Sequence, residues 1–219
     1  MASIFPRLDT TERVRLYTTS SKLTHLDQHG RASMVDVGDK QPTRRSATAS
    51  GRILIPEIAY ELITSSYPTE ASKSSTPDEQ STLEKARRKG DALTIAQLAA
   101  IMGAKATSTL IPLCHPLALS KIDVNLVPER VTPAAEDIHK TVRHSILCTA
   151  TVNCEGKTGV EMEALTAVSI GLLTVWDMLK AVAGKEMEIG QIMVTRKSGG
   201  RSGDFNRCNE EGQKPDRGR

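Results

Sequence analysis

The stretch from Met162 to Val182 constrains the fold of this chain most. Apolar residues recur at Leu165, Val168, Leu172, Val175/Trp176, Leu179 and Val182, the spacing of a long helix with one apolar face. Such a helix needs a broad apolar surface to lie on, and the flanking segments supply strands. Ser46 to Ile55 puts Ala47, Ala49, Gly51 and Ile53 on one side. Lys121 to Val127 alternates through Ile122, Val124 and Leu126, and Ser145 to Asn153 through Ile146, Cys148, Ala150 and Val152. Glu188 to Arg196 reads as a last strand. Pro56 opens a helix that runs to Ile63, and Asp91 caps one from Ala92 to about Thr109. Strands and helices mixed in this way, without a regular strand–helix repeat, predict the α+β class. The expected form is a mostly antiparallel sheet with helices packed on one face. With aromatic residues at only 3%, the core has to be built from Ala, Val, Ile, Leu and Met.

A chain of 219 residues is expected to form one domain, here at 23–207, with appendages. Residues 1–22 read as a flexible extension and 208–219 as a flexible tail. Residues 65–88 hold six Ser and two Pro and read as a disordered insertion, because that composition buries too little apolar surface to offset its ordering entropy. No run approaches eighteen consecutive apolar residues, so no membrane span is expected. The net charge is +3, and residues 196–219 carry seven Lys/Arg against four Asp/Glu, which accounts for the whole excess. That tail offers only Phe205 for stacking and too few cations for nucleic acid. Cys114, Cys148, Cys154 and Cys208 form no CxxC pair and no zinc-ligand spacing, so no metal is expected and reduced thiols place the chain inside a cell. Asp9 and Glu12 sit poorly with an acid-free transit peptide.

Four segments carry chemistry. Arg196 to Asp204, RKSGGRSGD, combines three glycines with Arg196, Lys197 and Arg201; it reads either as a phosphate cradle of inward-turned N–H groups or as a flexible basic turn. Lys89-Gly90-Asp91 sets a cation and a glycine ahead of a helix N-terminus, an anion site or an ordinary capped start. In Leu113-Cys114-His115-Pro116-Leu117 the histidine is expected to be partly buried, as a satisfied core residue or as a substrate or proton-transfer group. Asp177 and Lys180, three apart, share a helix face as an ion pair; among Trp, Met, Leu, Ala and Val neighbours, Lys180 could instead be desolvated toward acid–base use. Glu161 and Glu163 stand at the other end of the same helix. No cofactor motif is present.

Taken together, MVDVG (34–38), KGDALTIAQLA, LCHPL, GVEMEALTAVS and KSGGRSGDF closely resemble the cyclic pyranopterin monophosphate synthase (MoaC) family of molybdenum cofactor biosynthesis, from about Leu23 to Arg207. The resemblance implies a ferredoxin-like fold assembled as a homohexamer of dimers. It implies a pyrophosphate-releasing lyase that converts 3′,8-cyclo-7,8-dihydro-GTP, made by a radical GTP cyclase, to cyclic pyranopterin monophosphate without a cofactor. Matched by motif, the substrate-binding residues are Lys89, Cys114, His115, Pro116, Glu161, Met162, Glu163 and Arg201, and the catalytic ones are Asp177, Lys180 and Lys197. Trp176 stands where the family usually has Tyr. The implied compartment is the cytoplasm, or the mitochondrial matrix in a eukaryotic source. A nucleotide-holding scaffold is the competing reading, against which the intact Asp177 and Lys180 argue.

Overall fold

A computed structural model describes residues 24–64, 91–131, 143–200 and 203–207. The extension, the Ser-rich insertion, the tail from 208, Lys89 and Arg201 lie outside the described residues. The elements in chain order are β1 (Thr43–Ile55), α1 (Glu57–Thr64), α2 (Ala92–Lys105), the single turn α3 (Thr107–Leu110), β2 (Leu119–Val131), β3 (Arg143–Gly156), α4 (Glu161–Ala183), β4 (Glu188–Ser198) and β5 (Phe205–Asn206). The five strands form one antiparallel sheet in the order β2-β3-β1-β4-β5. The fold is α+β.

The alternation in β1 decides which side of the sheet the helices cover. Ala47, Ala49, Ile53 and Ile55 are buried, as are Ile146, Cys148, Ala150 and Val152 on β3. Against them α4 lays Ala164, Ala167, Val168, Leu172, Val175 and Leu179, all nearly inaccessible. Each buried Val or Leu stabilises the fold by about 1.5–3 kcal/mol. The scarcity of aromatics is met by close approach. A Cβ on Gly51 would collide with Val168 and Leu172 of α4, and one on Gly171 would crowd Ala100 of α2. The other face of the sheet is polar, with the Thr48 and Thr151 hydroxyls 2.9 Å apart and Arg52 donating to Glu129 at 3.2 Å.

The structure corrects the sequence reading in three places. The helix expected from Ala92 to about Thr109 is interrupted at Ala106. Just beyond the break, the Thr107 hydroxyl turns back to the carbonyls of Gly103 and Ala104, competing with the backbone ladder. Strand β2 continues past Val127 through Pro128, which a sheet interior would exclude but an edge strand accepts. Finally, α4 is long and apolar enough to cross a bilayer by length and composition. A count of consecutive apolar residues misses this, because Thr166, Ser169 and Thr174, as well as the charged residues toward its ends, break the run. Ten of its residues are buried in the fold, so its apolarity is that of a core helix.

Candidate active site

The antiparallel register gathers the start of β1, the end of β3, the end of β4 and the N-terminus of α4 at one edge of the molecule. Arg45 pairs with Cys154, and Ala47 with both Val152 and Lys197. Ala47 is a core residue, so Lys197 and Arg45, in the same inward register, lie on the helix-covered face. Lys197 Nζ meets Glu161 Oε1 in the first turn of α4 at 3.4 Å. Arg45 Nε donates to the Gly156 carbonyl at 2.8 Å. Between these elements lies a cavity of about 310 Å³ lined by Lys40, Arg45, Ser46, Lys157, Thr158, Gly159, Glu161, Ser198 and Gly199. Three cations line it against one carboxylate, which gives it the charge of an anion site.

The glycine-rich turn after β4 is built as its composition requires. Gly199 and Gly200 have φ of 84° and 85°, the left-handed region that side chains avoid. A Cβ would also run into the Arg44 carbonyl at Gly199 and the Arg45 guanidinium at Gly200. The Gly199 N–H is donated to Asp204 Oδ1 at 3.1 Å, so this donor of the expected phosphate cradle is held by the chain's own carboxylate.

Glu163 is 4% exposed. Burial pushes its carboxyl up; a hydrogen bond from its own backbone N–H opposes this, and the charge of Glu161 adds to it. Burial raises the Cys114 thiol and, secondarily, so does the charge of Glu163. Cys154 is raised by burial and then by the charge of Glu163, with Arg45 opposing and Glu161 adding a little. Cys114 of LCHPL thus feels the charge of Glu163 of GVEME. Met162, beside them, is 38% exposed. His115 is half-buried and its Nε2 lies 2.8 Å from the Val35 carbonyl. A carbonyl only accepts, so Nε2 carries the proton.

Asp177 and Lys180 are not part of this cluster. They pair at 2.5 Å near the C-terminal end of α4, with side chains 67% and 58% exposed. The desolvation expected of Lys180 is thus absent within one chain, because its apolar neighbours Val175, Leu179 and Ala183 point the other way into the core. Glu161 and Asp177 are both within unbroken helix. Sixteen residues at about 1.5 Å rise separate them by about 24 Å. Asp91 caps α2 through its carboxylate, which accepts from the N–H of Leu93 at 3.0 Å and of Thr94 at 3.2 Å. Its carboxyl is held below the usual range, first by the Thr94 hydroxyl. No group of His, Cys, Asp and Glu among the described residues could hold a metal ion.

A model of the MoaC family matches residues 34–200. The chain belongs to the MoaC family. It is 45% identical over 186 residues to a cyclic pyranopterin monophosphate synthase of Parvibaculum lavamentivorans, covering 85% of this chain and 97% of the relative. A Campylobacter jejuni protein of the same name is 46% identical over 184 residues, 84% of this chain and 98% of that one. Mouse molybdenum cofactor biosynthesis protein 1 is 42% identical over 190 residues, 87% of this chain but 25% of the larger protein.

Within this MoaC-family chain, sequence reasoning gave no role to Lys40, Arg45, Ser46 or Lys157, all of which line the cavity. A signal for Arg45 existed: it continues the inward series Ala47, Ala49, Gly51, Ile53 by one step, and an arginine there marks where the core gives way to a site. Lys157 lies inside the GKTGVEME run and Lys40 two residues beyond MVDVG, so both adjoin motifs that had been singled out for other positions.

Proposed function

We propose that the protein is a cyclic pyranopterin monophosphate synthase. It takes the cyclised dihydro-GTP delivered by a radical GTP cyclase, releases pyrophosphate, and works by side-chain acid–base catalysis. The observation that carries this reading is the basic cavity at the N-terminus of α4, where Lys40, Arg45 and Lys157 stand beside the Glu161–Lys197 pair. A triphosphate needs several cations at close range, and charge-assisted hydrogen bonds from guanidinium and ammonium groups are the strong ones. Lys89 and Arg201 complete the phosphate contacts in this reading. His115 and the buried Glu163 orient the base and ribose with Cys114, Pro116 and Met162 beside them, and Lys197 shares in proton transfer.

Remaking a purine and ribose into a pyranopterin breaks and forms C–N and C–O bonds, so protons have to be delivered in order. Lys180 is the proposed acid and Asp177 holds its ammonium. One chain cannot bring them to the cavity across about 24 Å of helix, so a neighbouring subunit supplies them. The apolar residues left exposed on the helical layer, Leu98, Met102 and Leu173 at 59%, 62% and 56%, suit burial in such an assembly. A hexamer of dimers and the ferredoxin-like assignment belong to this proposal. The latter is supported by the central strand order β4-β1-β3-β2 with helical crossovers. The compartment proposed is the cytoplasm or, in a eukaryotic source, the mitochondrial matrix.

The test is turnover of purified protein on the cyclised nucleotide beside its Arg45→Ala and Lys197→Ala variants. Weakened binding is expected for the first, and weakened binding with slower turnover for the second. Full activity in both variants would reject the cavity as the substrate site.

A further inference from the structure

The segment Met34–Lys40 crosses the surface beside the cavity with little of its own to hold it. Met34, Asp36, Gly38 and Asp39 are exposed, and only Val35, Val37 and Lys40 are half-buried. Its internal bonds form a local turn: Asp36 Oδ1 accepts from the Gly38 N–H at 2.8 Å, and the Lys40 N–H donates to the Val37 carbonyl at 3.1 Å. Two side chains from distant parts of the sequence tie that turn to the domain. His115 Nε2 donates to the Val35 carbonyl at 2.8 Å, and Lys157 Nζ donates to the Gly38 carbonyl at 2.6 Å. The segment ends at Lys40, which lines the cavity alongside Arg45 and Lys157.

We propose that Met34–Lys40 is a strap that carries Lys40 into the anion cavity, and that His115 and Lys157 are its two fasteners. Toward the phosphates His115 acts by positioning: its Nε2 is spent on the Val35 carbonyl, and it strengthens polyphosphate binding through Lys40. Lys157 has a second task, because an ammonium has three N–H donors and only one is spent on Gly38. Lys157 itself lines the cavity, so the anion and the strap share this group and reinforce one another. This inference rests on the phosphate-binding reading above, and its test separates the two.

Inorganic triphosphate is titrated calorimetrically into the full chain and its variants. Lys40→Ala and His115→Ala are each expected to weaken binding about tenfold, and the double variant to bind no more weakly than Lys40→Ala alone, since both remove the same contact. His115→Gln, which keeps an N–H donor near the Nε2 position, is expected to bind within about threefold of the unaltered chain. Hydrogen exchange at the amides of residues 34–40 should rise in His115→Ala and not in His115→Gln. Should His115→Ala fail to fold, His115→Phe keeps the ring volume and takes its place in the same cycle. On the cyclised nucleotide, His115→Ala should raise KM and leave kcat near its original value. Losses that multiply in the double variant, or a fall in kcat at constant KM, would overturn the strap while leaving the cavity a phosphate site. Triphosphate that does not bind even the unaltered chain would overturn the phosphate reading itself, and the strap with it.

Discussion

Replacing Lys180 by alanine should separate activity from stability more sharply than any other single change. Its bond to Asp177 Oδ1 is 2.5 Å long, but the two side chains are 58% and 67% exposed. An exposed pair three residues apart on a helix is worth about 0.3–0.5 kcal/mol, and alanine returns part of that through its better helix propensity. For a domain of this size about 1 kcal/mol moves Tm by about 2–4 °C, so Lys180→Ala should shift it by less than about 2 °C. Loss of a general acid costs at least about 100-fold in rate, or about 2.7 kcal/mol of barrier. The assay is kcat on the cyclised nucleotide, with substrate affinity and Tm measured on the same preparation. Near-normal affinity, near-normal Tm and a kcat down about 100-fold or more are expected. A kcat within about threefold of the original would refute Lys180 as the acid and turn attention to Lys89 or Lys197. A Tm lowered by many degrees would show a structural task that the exposed geometry does not account for.

Mixing Glu161→Ala chains with Asp177→Ala chains should restore part of the activity that each lacks, because a hybrid assembly holds one intact composite site; an active monomer by light scattering would exclude shared sites. His144 is 2% exposed, stacks on Tyr60 at 4.2 Å, and has no hydrogen-bond partner for either ring nitrogen. His144→Phe keeps the stack, removes two unsatisfied polar atoms, and should stabilise by about 1–2 kcal/mol in urea denaturation. Glu163→Gln should raise Tm at pH 8. A carboxyl raised by burial penalises the folded state above its folded pKa, and the penalty fades as pH falls through that value toward the ordinary 4.5. The difference in Tm from the unaltered chain should therefore shrink toward pH 4, and a difference that grows on acidification would contradict the sign. The Cys148 thiol, buried and pushed up to about 12, should resist alkylation in the native protein at pH 8 and react after unfolding, as followed by mass spectrometry.

The fold was legible wherever a period ran uninterrupted. The inward series of β1 and β3 and the apolar face of α4 are buried as the alternation and the helical spacing require. Legibility failed where local chemistry overrode the pattern. The helix from Ala92 gave way at Ala106, Pro128 sat in an edge strand, and the two residues of β5 are too short to show any period. At the site, charge and glycine content pointed to Lys197 and the turn after β4, and motif resemblance to Glu161 and Glu163. Arg45, Lys40 and Lys157 escaped because they come together only through strand register and two side-chain-to-backbone bonds. His115 shows the converse. Sequence spacing gave no hint that its Nε2 would bond to the carbonyl of Val35, 80 residues away.

The most direct test of the proposed activity is single-turnover incubation of the purified protein with the cyclised dihydro-GTP, quantifying pyrophosphate and the fluorescent pterin derived from the product. The account predicts that the two appear together in equal amounts, at a rate set by the protein concentration, with no cofactor added. Unchanged nucleotide, or pyrophosphate released without pterin, would contradict it.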